Sequence, residues 1–119
     1  MTIETFQKVV ETTIDEIRAT LQVKGSEYGS GGDRLKNFKD LASFKDSTPL
    51  NELLSLQGKH LIAYKDFILT LNSNGGEVPL KWFNEKTLDI ITYTILARAL
   101  FYERMADALD RPTISLGDK

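Results

Sequence analysis

The stretch Leu88-Asp89-Ile90-Ile91-Thr92-Tyr93-Thr94-Ile95-Leu96-Ala97-Arg98-Ala99-Leu100 decides how the chain folds. It is the longest apolar run, yet Asp89, Thr92, Thr94 and Arg98 interrupt it. It also falls short of the roughly 18–20 residues that a membrane span needs. Its apolar residues do not alternate as a half-buried strand would require. Read as a helix together with Trp82, Phe83, Phe101 and Tyr102, it carries apolar side chains over more than one stripe. A helix of that kind sits in the middle of a bundle or at an interface. Its expected span is about Asn84 to Leu109. Pro112 forces its end, and residues 110–119 read as a loose tail.

Working outward, the segment before it is punctuated by Asn72-Ser73-Asn74-Gly75-Gly76, and Val78-Pro79 restarts the chain with a short turn through Phe83. A third helix is expected from Leu50 to about Leu71, with Thr48 as its cap and Pro49 at the first helical position, where a missing N–H does no harm. Leu53, Leu54, Leu61, Tyr64, Phe67, Ile68 and Leu71 line its expected buried side, and a close helix crossing would account for Gly58. At the start of the chain Ile3, Phe6, Val10, Ile14, Ile17 and Leu21 recur at steps of three and four, one apolar stripe on a helix capped by Thr2. That helix ends at Gly25 or runs on to Tyr28. Gly29-Ser30-Gly31-Gly32 is too costly in backbone entropy to remain helical. Asp33 then reads as the cap of a short helix from Arg34 to about Phe44. The expectation is an all-α fold: one domain over 1–119, with its core over about 3–109, built as a compact bundle of three long helices and one short one. The broad apolar surface of the last helix makes a homodimer the expected assembly. The rival is a helical hairpin that completes its core only on dimerisation.

Composition narrows the chemistry. The 119 residues include 15 basic and 17 acidic side chains, for a net charge of −2, which excludes a polybasic nucleic-acid clamp but leaves room for a local phosphate site. With no cysteine, disulfides, zinc-thiolate centres, iron–sulfur clusters and thiol catalysis are excluded. With one histidine, His60, a two-histidine zinc helix cannot be built within one chain. Met1-Thr2-Ile3-Glu4 lacks the basic start of an export signal, so no membrane association and a cytoplasmic location are expected.

Three features carry possible chemistry. Asp89 lies among apolar neighbours with Glu85 one turn earlier. An acid so placed must be paired or bound to a cation, so a buried hydrogen-bonded Asp and a metal or substrate ligand are equally good readings. His60 shares a helical face with Leu53, Gln57, Tyr64 and Phe67. The commoner outcome for such a residue is a hydrogen-bonded core histidine, the other a general base or base-stacking group. The third feature runs from Lys24 through the glycines to Phe38. There a glycine loop opening a helix presents amides to an anion, Lys24 and Arg34 add charge, and Tyr28 and Phe38 add ring faces. A phosphate-loop motif, a serine elbow, an EF-hand and a dinucleotide fingerprint are all absent.

In order, Lys24-x-x-Glu27-Tyr28-Gly29, Asn37-Phe38, Lys59-His60-Leu61 and Glu85-x-x-x-Asp89-Ile90-Ile91-Thr92-Tyr93 resemble the nucleotide-modification-associated domain family of small bacteriophage proteins, over roughly residues 5 to 103. More distantly, the acids of the last helix resemble those of the all-α nucleoside-triphosphate pyrophosphohydrolases of the MazG and dimeric dUTPase type. Those enzymes hold Mg²⁺ with an E-E-x-x-E helix and an E-x-x-D helix. The resemblance implies Glu85 and Asp89 as Mg²⁺ ligands and, with His60, as catalytic groups. It implies Lys24, Glu27, Tyr28, Asn37, Lys59 and Tyr93 as nucleotide-binding residues, to which the glycine-loop reading adds Arg34. Here the acid precedes Asp89 by four positions with Lys86 three before it, no E-E-x-x-E occurs, and Thr92 stands where the family has asparagine. Two functions are implied. One is a Mg²⁺-dependent nucleotide pyrophosphohydrolase. The other is a non-catalytic anti-defence protein in the host cytoplasm, which sequesters a host signalling nucleotide or inhibits a host defence protein.

Overall fold

Helix α4 (Leu80–Ala108) is the element against which α1 (Ile3–Tyr28), α2 (Lys36–Lys45) and α3 (Pro49–Asn72) are arranged. The computed structural model describes residues 1–28 and 32–109, with the backbone alone for 23–28. The fold is all-α, and among the described residues there is no strand. α3 and α4 form an antiparallel hairpin. Leu53 shares a buried cluster with Leu96 and Leu100, and from there the pairing descends through Gln57 with Thr94 to Tyr64 with Phe83. Leu35 and Phe38 complete that cluster from the start of α2 and the turn before it. No helix among the described residues is long and apolar enough to cross a membrane.

The helix starts follow their caps. The Thr2 hydroxyl accepts the Thr5 N–H at 3.1 Å, and the Thr48 hydroxyl accepts the Asn51 N–H at 3.2 Å with Pro49 next in line. Asp33 caps a turn rather than the helix. Its Oδ1 accepts the Leu35 N–H at 2.9 Å, and α2 begins at Lys36, two residues later than expected. α2 ends with Asp46 in the left-handed region at φ 52°, where the N–H groups of Asp46 and Ser47 close back on the carbonyls of Ser43 and Ala42.

Three expectations need correction. α4 begins at Leu80 rather than near Asn84, because Pro79 serves as its cap and the Phe83 N–H bonds to the Pro79 carbonyl at 3.1 Å, so the expected separate turn is the first turn of the helix. Open space lies where a Cβ on Gly58 would sit, so no close crossing accounts for that glycine. Leu54, Leu61 and Leu71 of α3 are exposed, because α2 and α4 together cover less of that helix than its apolar content allows.

Short α2 is held by charge as well as by Phe38. Lys39 Nζ bridges Asp33 Oδ2 at 2.7 Å and Glu103 Oε1 at 2.5 Å, tying α2 to α4, while Lys45 Nζ reaches Glu52 Oε1 at 2.7 Å on α3. The Lys39 bond and the Leu35 N–H hold the Asp33 carboxyl below its usual range, and Asp33 and Glu103 together raise the Lys39 ammonium. Glu52 is buried, and bonds from Lys45 and Ser47 lower its carboxyl. Both carboxyls are depressed on folding, so their contribution is present above their ordinary values of 3.8 and 4.5 and is lost as pH falls through the lower folded-state values. Thermal stability should therefore fall as pH drops below about 4.5, and Glu52→Gln should flatten that fall. An unchanged acid slope in the variant would contradict the assignment.

Candidate functional site

The α3–α4 hairpin brings His60, Lys86, Asp89 and Tyr93 together. The same face of α4 returns at steps of three and four, so residues 86, 89 and 93 stack toward α3. Lys86 Nζ lies 3.0 Å from His60 Nδ1, and Asp89 Oδ2 lies 3.5 Å from the same nitrogen. One ring nitrogen cannot both accept from the ammonium and donate to the carboxylate. A neutral ring accepts from Lys86 at Nδ1, and a protonated ring donates from it to Asp89. The His60 ring leans on Tyr93, with centroids 5.2 Å apart and planes at 32°. Below this cluster the Gln57 amide donates to the Ile90 carbonyl at 3.3 Å and to the Thr94 hydroxyl at 2.8 Å, pinning the register of the two helices.

On the other side of Tyr93 a cavity of about 160 Å³ opens between α2 and α4. It is lined by Arg34, Asn37, Phe38, Leu56, Thr92 and Tyr93, among others. Its walls are mostly apolar, with polar groups converging from two helices and the turn before α2. Thr92, one of its lining residues, is 1% exposed and donates its hydroxyl proton to the Asp89 carbonyl at 3.0 Å. Among the described residues, Arg34 Nη2 is cut off from solvent and has no hydrogen-bond partner. A buried guanidinium nitrogen without an acceptor is costly, and an anion in the cavity would supply that acceptor.

The expected site residues thus fall into three groups. Arg34, Asn37 and Tyr93 line one cavity, and His60 and Asp89 adjoin it through Tyr93. Glu85 and Lys59 stand apart. Glu85 is exposed with Lys81 Nζ 3.9 Å away, and Lys59 is exposed, turned about 100° around α3 from His60. The side chains of Lys24, Glu27 and Tyr28 lie outside the described residues, as do Gly29 to Gly31. Lys86 and Gln57 were not foreseen as members. Their signal was spacing: Lys86 stands seven residues before Tyr93, and Gln57 three before His60, which places each pair on one face.

Glu85 and Asp89, the two expected Mg²⁺ ligands, each face a basic side chain. Among the described residues no group of three or more Asp, Glu, His or Cys side chains is arranged to hold an ion. Of the two expected ligands, Asp89 already faces His60 beside Lys86, and Glu85 faces Lys81.

No known family model matches the chain, and no curated protein or solved structure matches it. The site therefore rests on its own geometry. If Arg34 Nη2 is a buried donor awaiting an acceptor, Arg34→Met should raise the melting temperature of the ligand-free protein by a few degrees, because an unsatisfied buried polar group costs about 1–3 kcal/mol. A fall in melting temperature on differential scanning calorimetry would show that the guanidinium is already paid for by its surroundings.

Proposed function

We propose that this protein is a nucleotide-binding module that holds a nucleotide without hydrolysing it. The observation that carries this reading is the cavity between α2 and α4, where Arg34 offers a buried unpartnered donor beside the Asn37 amide and the Tyr93 ring. Arg34 suits a phosphate, to which a guanidinium donates bidentately. Tyr93, backed by His60, suits the face of a base, and Asn37 suits its hydrogen-bonding edge. A cavity of about 160 Å³ holds one such moiety, so the remainder of a nucleotide would extend outward past Asn37, which is exposed.

Binding is favoured over hydrolysis by the electrostatics around the two expected catalytic acids. Phosphoryl transfer needs cations gathered on the phosphate oxygens and a positioned water. Glu85 is exposed and does not line the cavity, and Asp89 Oδ2 lies 3.5 Å from His60 Nδ1. The reading accords with a non-catalytic protein that sequesters a signalling nucleotide, the second of the two functions implied by the family resemblance.

The test is a thermal-shift series with nucleoside mono- and triphosphates, run with Mg²⁺ and with EDTA, alongside an assay for pyrophosphate release. A bound nucleotide at about 100 times its Kd should add about 2.7 kcal/mol of stability. The shift should persist in EDTA without pyrophosphate release, and Asn37→Ala or Tyr93→Leu should reduce it. Absence of a shift with every nucleotide would refute binding, and Mg²⁺-dependent pyrophosphate release would restore the hydrolase.

A further inference from the structure

Arg34 and Tyr93 line one small space of about 160 Å³, so a group held by the guanidinium and a group held by the ring lie close together. Much of the remaining wall is apolar, from Phe38, Leu56 and Leu96. Among the described residues that line it, Arg34 alone is charged, and its Nη2 atom is shielded from solvent. The neighbouring lysines are engaged elsewhere: Lys36 with Asp40, Lys39 with Asp33 and Glu103, Lys45 with Glu52, and Lys86 with His60. Asn37 stands at the outward edge, exposed, with Asp40 and its Lys36 partner on the neighbouring turn of α2.

We propose, resting on the nucleotide reading of this cavity, that it takes a nucleoside monophosphate, phosphate end first, in preference to a di- or triphosphate. A phosphate that reaches a shielded Nη2 is the end of its ligand, because a bridging phosphate must continue in two directions. A base that meets Tyr93 in the same cavity must then lie close to that end. In a monophosphate the terminal phosphate hangs directly on the sugar that carries the base, so both conditions are met at once. In a triphosphate two further phosphoryl groups separate the end from the sugar, and the base is carried away from Tyr93 when that end reaches Arg34. With its inner phosphate on Arg34 instead, a triphosphate sets its outer charges against apolar wall or beside the already neutralised Lys36–Asp40 pair. Charge placed where no donor meets it is costly, so the added phosphates contribute nothing to affinity.

Isothermal titration calorimetry on the full chain tests this, with adenosine, guanosine, cytidine and uridine and their mono-, di- and triphosphates, each with and without Mg²⁺. For the preferred base the monophosphate should bind at least about tenfold more tightly than the nucleoside, because a charge-assisted bond to the shielded guanidinium is gained. The di- and triphosphate should bind no more tightly than the monophosphate. Arg34→Gln should bring the monophosphate down to the affinity of the nucleoside and leave the nucleoside's own affinity in place, which also shows that the variant cavity is intact. A triphosphate about tenfold tighter than the monophosphate would overturn the proposal and leave nucleotide binding standing. An Arg34→Gln variant that keeps the full preference for monophosphate over nucleoside would overturn it as well. Failure of every nucleotide to bind would remove the nucleotide reading itself, and the choice of monophosphate with it.

Discussion

The antiparallel contact of α3 with α4 is the constraint from which the rest follows. Leu53, 2% exposed, is locked in one cluster with Leu96 and Leu100, and this sets how far the two helices are slid past each other. Once that register is set, Gln57 meets the Ile90 carbonyl and Thr94, His60 meets Lys86, Asp89 and Tyr93, and Tyr64 meets Phe83. A truncation of Leu53 to alanine would cost about 2–5 kcal/mol and remove the reference point for all of those contacts. The polar cluster is therefore a consequence of apolar packing, not an independent source of cohesion.

Against this hairpin the short α2 carries the group with most functional content. An isolated ten-residue helix is marginal in water, so α2 depends on Phe38 in the core and on the Lys39 and Lys45 ion pairs to neighbouring helices. These fasteners hold the start of α2 in place, and Arg34 is delivered to the cavity by the turn that Asp33 closes just before it. The partly exposed ion pairs contribute little each, and their role is to fix position rather than to supply bulk stability. What the arrangement holds ready is a guanidinium nitrogen already stripped of water. Its desolvation is met during folding, so a bound anion need not meet it again.

Much of the fold was legible because its determinants are local. The Thr48-Pro49 cap, the Thr2 cap and the apolar period of α4 each depend on a few neighbouring residues, and each appears in the structure close to its expected place. The start of α4 was misjudged because Pro79 can either precede a loop or cap a helix, and the choice depends on what Leu80 to Phe83 continue into. The site was legible in part. Arg34, Asn37 and Tyr93 are far apart in sequence but meet at one cavity, whereas Glu85, chosen by its spacing from Asp89, faces solvent. Spacing along one helix orders side chains on a face. Whether that face is buried is decided by a second helix, and no local pattern carries that information. For the same reason the α1 stripe could be read as amphipathic, while the exposure of Ile3, Phe6, Val10 and Ile14 could not.

Where a phosphate settles on the molecule is the most direct test of nucleotide binding at Arg34. A co-crystal structure with a nucleoside monophosphate should place the phosphate within charge-assisted hydrogen-bonding distance of Arg34 Nη2, about 2.7–2.9 Å, with the base ring against Tyr93. A phosphate bound elsewhere on the molecule, or a nucleotide held through Glu85 and Asp89 by a metal ion with Arg34 untouched, would contradict it.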